Sequence, residues 1–297
     1  MLNLKRVIVL ICLCLLAACS AGLPNSPTVL PSSTSIAQTA TPLLPTLTSV
    51  PMALTVNTDG ISFEEFNAEL TRYKNAQKAL GKVVSDDQAL QVVRDDLVSQ
   101  LLLAQGAAEA GFSLDDAALQ QRKAALIAKL GADQFNAWLQ DHGYSAAGFD
   151  QSLKRAAAVA WMRDKIMASV PITAEQVHVR QILLYNEDVA KKYYDQLQAG
   201  ADFDGLAAKV DPITHGDIGW FPRGYLTEKA VEDAVFALDK DAYSAIIPGE
   251  AGFHILKLLD KQAERGLSPD ALFVLQNRAL NDWLTKRRQQ STIVMAP

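Results

Sequence analysis

The chain has 297 residues, with 28 Lys and Arg against 33 Asp and Glu and a net charge of −5. Charges of both signs are interleaved, which leaves no basic stripe and excludes nucleic acid as a partner. The length suits one large or two modest domains, and two is the expectation.

Lys5 and Arg6 precede an apolar run, Val7 to Leu16, that is short for a transmembrane helix. It ends in Leu16-Ala17-Ala18-Cys19, which resembles a bacterial lipobox. The resemblance implies a lipoprotein signal peptide over 1–18, a diacylated Cys19, and a chain lipid-anchored on the extracytoplasmic face of the cell membrane. Cys12 and Cys14 would leave with the signal, so the mature chain would have no disulfide and no thiol or zinc chemistry. Residues 19–53 are rich in Ser, Thr and Pro and bury too little surface to order, so they read as a tether. Extended at about 3.1 Å per residue, the tether reaches on the order of 100 Å.

Order is expected from Leu54. The segment LTVNTDGIS suggests a small hairpin or strand edge turning at Asp59-Gly60. Ser62 with Glu65 reads as a capping box, followed by Phe63, Phe66, Leu70 and Tyr73 at helical spacing. Ser85 with Gln88 opens a second helix with a stripe of Leu90, Val93, Leu97, Leu101 and Ala104, stopped at Gly111. Ser113 with Asp116 opens a third, carrying Leu119, Leu126 and Leu130 to Gly131. A short fourth helix holds Phe135, Trp138 and Leu139, and a fifth runs from about Ser145 to Ser169 before Pro171. The carboxylates of Asp95, Asp96, Asp115 and Asp116 fall at caps or outer faces, and His142 is placed to serve terminal helix carbonyls.

VNTDGISFEEFNAEL, VVRDDLVSQLLLAQGAAEAGFSL and FNAWLQDHGYSAAGFDQSLKR together resemble the N-terminal helical domain of SurA-type and PrsA-type foldases, over about 54–171. The resemblance implies a chaperone domain that cradles non-native chains and is closed by the last helix. Ser268 to Ser291 is the candidate, with Leu272, Leu275, Leu280, Trp283 and Leu284 as its stripe, and Thr292 to Met295 could add a strand beside Leu54 to Asn57. The expected division is 54–172 plus 263–297 for this discontinuous domain and 173–262 for an insert.

Within the insert, Thr173 with Gln176 reads as the cap of a short turn leading into a strand over Val179 to Leu184. Helices follow from Asn186 to Leu197 and over GADFDGLAAKV, then a turn, HGDIGWFPRG, and a helix from Glu228 to Leu238. Two strand-like runs close it, the second GFHILKLL. GADFDGLAA, GDIGWFPRG, AVEDAVFAL and GFHILK, in this order, resemble the parvulin family of peptidyl-prolyl cis-trans isomerases over about 177–259. The implied fold is α+β: a four-stranded antiparallel sheet wrapped by helices, inserted in the helical domain.

Parvulin chemistry asks for no covalent step and no cofactor. Rotation about X-Pro crosses roughly 18 to 20 kcal/mol, mostly lost amide resonance. An apolar pocket that grips the proline ring and strips water from the amide favours the less polar twisted state. The resemblance places Ile218, Leu226 and Val231 around the ring; one extra residue before Phe236 leaves Ala230 as the alternative to Val231. Read alone, each is as readily an ordinary core position as a pocket residue. His254 stands where the family has its second catalytic histidine, Gln181 stands where it has the first, and Asp211 is the nearby acid, two positions early in a shortened loop. Glutamine can donate and accept but cannot exchange a proton as imidazole does.

His178 falls on the opposite strand face from Gln181, and His178, His215 and His254 lack metal-ligand spacing. Lys257 and Arg223 read as solvated, the latter beside the groove. The implied partners are unfolded exported polypeptides with X-Pro bonds and, through the lipid, the membrane. The implied function is an extracytoplasmic foldase. A holdase that keeps the parvulin shape without turnover and an envelope scaffold are the alternatives.

Overall fold

The computed structural model describes residues 50–296. The signal peptide, Cys19 and nearly all of the tether expected from the sequence lie outside the described residues. Strands β1 (Met52–Val56) and β2 (Asp59–Ser62) form a hairpin, and β7 (Ile293–Met295) pairs antiparallel with the other edge of β1. The turn is Asn57-Thr58, not Asp59-Gly60, because Val56 pairs with Asp59 and Asn57 takes a positive φ of 54°. Asn57 earns that conformation with its side chain, which donates to Gln105 Oε1 at 2.9 Å and accepts from the Thr292 N–H at 2.9 Å.

Helix α1 (Phe63–Ala79) starts at Ser62, whose hydroxyl accepts from the Glu65 N–H. The return half of the expected capping box is replaced: the Glu65 carboxylate pairs with buried Arg155 instead. Helix α2 (Asp86–Glu109) has the full box of Ser85 and Gln88. Val93, Leu97 and Leu101 of its stripe are buried, whereas Leu90 is 40% exposed because Ala89, at 0%, takes the inward position of the first turn. Helix α3 (Asp116–Leu130) is capped by Asp115, which accepts from the Ala118 N–H at 2.7 Å, rather than by Ser113. Helix α4 (Ala132–Asp141) ends with His142 Nδ1 donating to the Trp138 carbonyl at 2.8 Å, the role its position implied. Helix α5 (Ala146–Ala168) is bounded by Ser145 and Ser169.

Helix α9 (Pro269–Gln289), capped by Ser268, returns to the N-terminal helices. Its Leu280, Trp283 and Leu284 pack on Leu103 and Ala107 of α2 and on Ala158, Met162 and Ile166 of α5. Contact is close because residue 106 is glycine: a Cβ there would lie 2.6 Å from the Trp283 ring.

The insert is a four-stranded antiparallel sheet of β3 (Thr173–Leu184), β4 (Asp217–Pro222), β5 (Ile247–Gly249) and β6 (Gly252–Gly266), in the order β4-β3-β6-β5. Two sequence expectations are corrected here. Thr173 to Gln176 is not a capped turn but the start of β3, where Thr173 pairs with Gly266 and Gln176 with Gln262. The Gln176 side chain is buried and donates to the carbonyls of Arg265 and Gly266 at 2.8 and 3.0 Å. Nor is HGDIGWFPRG a turn: Asp217 to Pro222 is edge strand β4, and Gly219 takes φ 77° beside a break in the ladder.

Helices α6 (Glu187–Gln198) and α7 (Phe203–Val210) cover one sheet face, packing Ala190, Leu197, Phe203, Leu206 and Ala207 on Ile182, Leu184 and Ile255. Helix α8 (Lys229–Phe236) covers the other, packing Val231, Val235 and Phe236 on Val177, Val179, Phe221, Leu256 and Leu258. Among the described residues no helix is long and apolar enough to cross a membrane.

The Gly106–Trp283 contact gives a direct test of domain closure. Gly106→Val should destabilise the chain by about 2 kcal/mol through overpacking. Combined with Trp283→Ala it should cost less than the sum of the two single changes, read as a double-mutant cycle in urea.

Candidate active site

The candidate site lies on the α8 face of the sheet. Alternation along β3 puts Val177, Val179, Gln181 and Leu183 on one face, and alternation along β6 puts His254, Leu256 and Leu258 on the same one. His254 is directly opposite Leu183 and Gln181 opposite Leu256, so the two polar residues are diagonal neighbours. His254 Nδ1 lies 3.3 Å from Gln181 Oε1. Only 6% of His254 is exposed, and its Nε2 has no hydrogen-bond partner among the described residues. Glu228 Oε1, at the N-terminus of α8, is 3.9 Å from that nitrogen. Burial pushes the imidazole pKa below its ordinary value, partly opposed by the Glu228 carboxylate.

Ile218 of β4 and Leu226 flank the apolar cluster in which Val231 and Phe221 are buried, so the three residues assigned to the proline pocket join one patch on the face of His254. Of the two alternatives on α8, Val231 faces the sheet with 4% exposure and Ala230 faces solvent. Glu232, one turn into α8, is buried and accepts from the Gly224 N–H at 2.8 Å and the Leu226 N–H at 3.3 Å. The pocket loop thus hangs from a carboxylate that the sequence reading passed over. Its signal is an acid flanked by Val231, Val235 and Phe236, on what is otherwise an apolar helix face.

Asp211 is engaged elsewhere. Its carboxylate accepts from the backbone N–H groups of Ile213, Thr214 and Gly216 and from the Thr214 hydroxyl. The Thr214 contacts lead in holding its pKa down, at about 2. This closes the shortened loop on itself, and the loop meets the site at one remove, where the Gln181 N–H donates to the Gly216 carbonyl at 2.8 Å. Gly216 takes φ 72°, and any Cβ there would collide with the Gln181 carbonyl.

His178 stacks on Trp220 with ring centroids 5.3 Å apart and bonds Asp217 through Nε2 at 2.9 Å, while the Arg265 guanidinium lies 4.3 Å from the centre of the Trp220 ring. Two residues read as solvated are not free. Lys257 is 18% exposed and shares Asp204 with Arg180, on the face away from His254. Arg223 keeps half its surface exposed but lies 4.2 Å over the Phe236 ring and pairs with Asp233. Among the described residues no group of three His, Cys, Asp or Glu is placed to hold a metal ion.

Comparison with known proteins agrees with this architecture. A family profile described as a SurA-like N-terminal domain matches residues 6–163, more than half of the chain, and one described as a PPIC-type PPIASE domain matches residues 185–260. The chain belongs to the SurA-like N-terminal domain family and carries a PpiC-type parvulin domain. It is 26% identical over 206 residues to Chaperone SurA of Alcanivorax borkumensis, covering 57% of this chain and 47% of that protein. It is 33% identical over 92 residues to Foldase protein PrsA of Halalkalibacterium halodurans, covering 29% and 27%. The chain therefore spans about half and about a quarter of the length of these relatives. The crystal structure of the peptidylprolyl isomerase PrsA from Bacillus cereus aligns over 81% of this chain and 86% of that one, with 22% identity and a TM-score of 0.42.

Two outcomes follow from these contacts. Because His254 is held below its ordinary value of 6.5, the unfolded ring binds a proton before the folded one does. Its contribution to stability is present above that value and lost as the pH falls through it toward the folded pKa. Urea midpoints from about pH 8 to about pH 5 should fall, and His254→Gln should flatten that decline. Separately, Asp211→Ala should strip hydrogen-exchange protection from the amides of Ile213, Thr214 and Gly216 while leaving β3 and β6 protected.

Proposed function

We propose that the chain is a lipid-anchored extracytoplasmic foldase. In this reading residues 1–18 are a lipoprotein signal, 19–53 a tether from diacylated Cys19, 54–172 with 263–297 a chaperone domain, and 173–262 a parvulin domain. The substrates are unfolded exported polypeptides, and the reaction is cis-trans isomerisation of X-Pro bonds. No cofactor enters the reaction.

The observation that carries the catalytic part is the pairing of Gln181 with buried His254 on the same sheet face as Ile218, Leu226 and Val231. A proline ring seated among the apolar residues leaves water and fixes one side of the amide. The twisted, less conjugated amide then gains relative to the planar ground state in a site of low polarity. His254 and Gln181 supply hydrogen-bonding groups at the edge of that site, with Gln181 able to donate or accept.

A second reading, a parvulin-fold holdase without turnover, is favoured by Gln181 itself, since an amide cannot share a proton as a second imidazole would. A prolyl isomerase assay separates the two. On the first reading the parent turns over a proline peptide, and His254→Ala lowers kcat/KM on the order of tenfold to a hundredfold. A silent parent that gains activity with Gln181→His would decide for the holdase. Failure also to suppress aggregation of a denatured client would remove both readings and leave a scaffold.

A further inference from the structure

The imidazole of His254 has two edges, and the site accounts for only one of them through Gln181. The other, Nε2, is buried and without a hydrogen-bond partner among the described residues, an arrangement costly enough to call for a function. Facing it at 3.9 Å is Glu228 Oε1. That carboxylate does not wander. Its other oxygen accepts from the Glu250 N–H at 3.1 Å, its backbone carbonyl accepts from the Glu232 N–H, and its side chain is 22% exposed.

The niche that holds it exists because residue 249 is glycine. A Cβ at Gly249 would collide with Glu228 Oε2 and lie 2.9 Å from His254 Nε2. Glycine here brings an acid from the start of α8 against a histidine of β6, across the end of β5.

We propose that Glu228 is the acid of the site, a positioning residue that holds the Nε2 edge of His254 while Gln181 holds the Nδ1 edge. The assignment draws its catalytic meaning from the isomerase reading above. Asp211, the acid nearest in sequence to the expected place, is committed to its own loop. The remaining charged groups around the ring are turned away. Glu232 serves the 224–226 backbone, Asp233 takes Lys229 and Arg223, and Glu250 meets Glu228 only through its N–H. Arg180, Lys257 and Asp204 occupy the opposite sheet face.

The chemistry of the ring gives the pair a definite consequence. In the neutral tautomer with its proton on Nδ1, the Nε2 lone pair confronts a carboxylate, which is unfavourable. With the proton on Nε2, the ring donates toward Glu228 and accepts at Nδ1, which Gln181 can serve by presenting its amide NH2. The protonated ring satisfies both neighbours, with Gln181 presenting oxygen. Glutamine follows either state by turning its amide over, so Gln181 complements Glu228 rather than marking a missing histidine.

The test uses the full chain with isotope-labelled histidine, since only His142, His178, His215 and His254 contribute signals. Nitrogen shifts report tautomer and titration together, and His254→Gln assigns the peak. The parent should show Nε2 as the protonated nitrogen of the neutral ring. Glu228→Gln, which keeps the shape and removes the charge, should move the His254 titration to lower pH and populate the Nδ1–H tautomer. Gly249→Ala should do the same by displacing the carboxylate, and Asp233→Asn, on the same helix, should leave the titration in place. Unchanged titration and tautomer in Glu228→Gln, with the other three histidine signals unmoved, overturns the assignment. An equal shift in Asp233→Asn overturns it too, by reducing the effect to the general field of α8. An isomerase-silent parent that still shows the Glu228-dependent shift would remove the isomerase reading and leave the Glu228–His254 pair standing.

Discussion

The long antiparallel ladder between β3 and β6 is the constraint from which the rest of the insert follows. It begins where the chain leaves and re-enters the helical part, at Thr173 opposite Gly266, and ends at Leu184 opposite Phe253, one pair beyond Leu183 and His254. At the junction end it is sealed by the Leu267 N–H on the Ile172 carbonyl at 2.9 Å and by buried Gln176 on the carbonyls of Arg265 and Gly266. Two connections lying side by side carry the chain out of the helices and back to them, so that α9 can still pack on α2 and α5. At the far end the same ladder fixes register, and a slip of β6 by one residue would carry His254 to the face covered by α6 and α7, away from Gln181.

Around that ladder, buried or half-buried carboxylates organise backbone. Asp211 gathers the amides of its loop, Glu232 carries the amides of Gly224 and Leu226, and Glu228 takes the amide of Glu250. Each turns a connection that would otherwise be mobile into a fixed wall, because a charged acceptor bonded to backbone N–H groups is stronger than a neutral one. The loops next to the candidate site are therefore held by the protein rather than awaiting a substrate to order them.

What the sequence made legible and what it concealed divide along a physical line. Local signals were readable: Ser85 with Gln88, Ser145, Asn186 and Ser268 each cap a helix within four residues of themselves. The strand GFHILKLL and the helix from Glu228 were likewise readable, and the family resemblance supplied the place of His254. Interactions that close over long separations were hidden. Thr173 to Gln176 looks like a cap until its partners at 262–266 are known, and Asn57 makes its turn because Gln105 and Thr292 meet it there. Glu228 reads as the start of a helix, and nothing near it in the chain announces that Gly249 will leave room for its carboxylate beside His254.

Helix α9 and the sheet unit also meet beside Leu226. Gly224, in the loop that leads to Leu226, takes φ 84°, and a Cβ on it would lie 3.1 Å from Arg278 Nη1 and 3.2 Å from Leu275 Cδ2 of α9. The loop is thus held by Glu232 on one side and met by α9 on the other. A groove of about 380 Å³ opens along this seam, lined by Arg223, Leu226, Lys229, Leu275 and Arg278. The loop that carries Leu226 consequently depends on α9, which meets it at Gly224, while the packing of α9 on α2 depends on a second glycine, Gly106. The same helix that packs on α2 and α5 also lines the groove beside Leu226, so the setting of that residue belongs to the intact chain and not to the parvulin sheet alone.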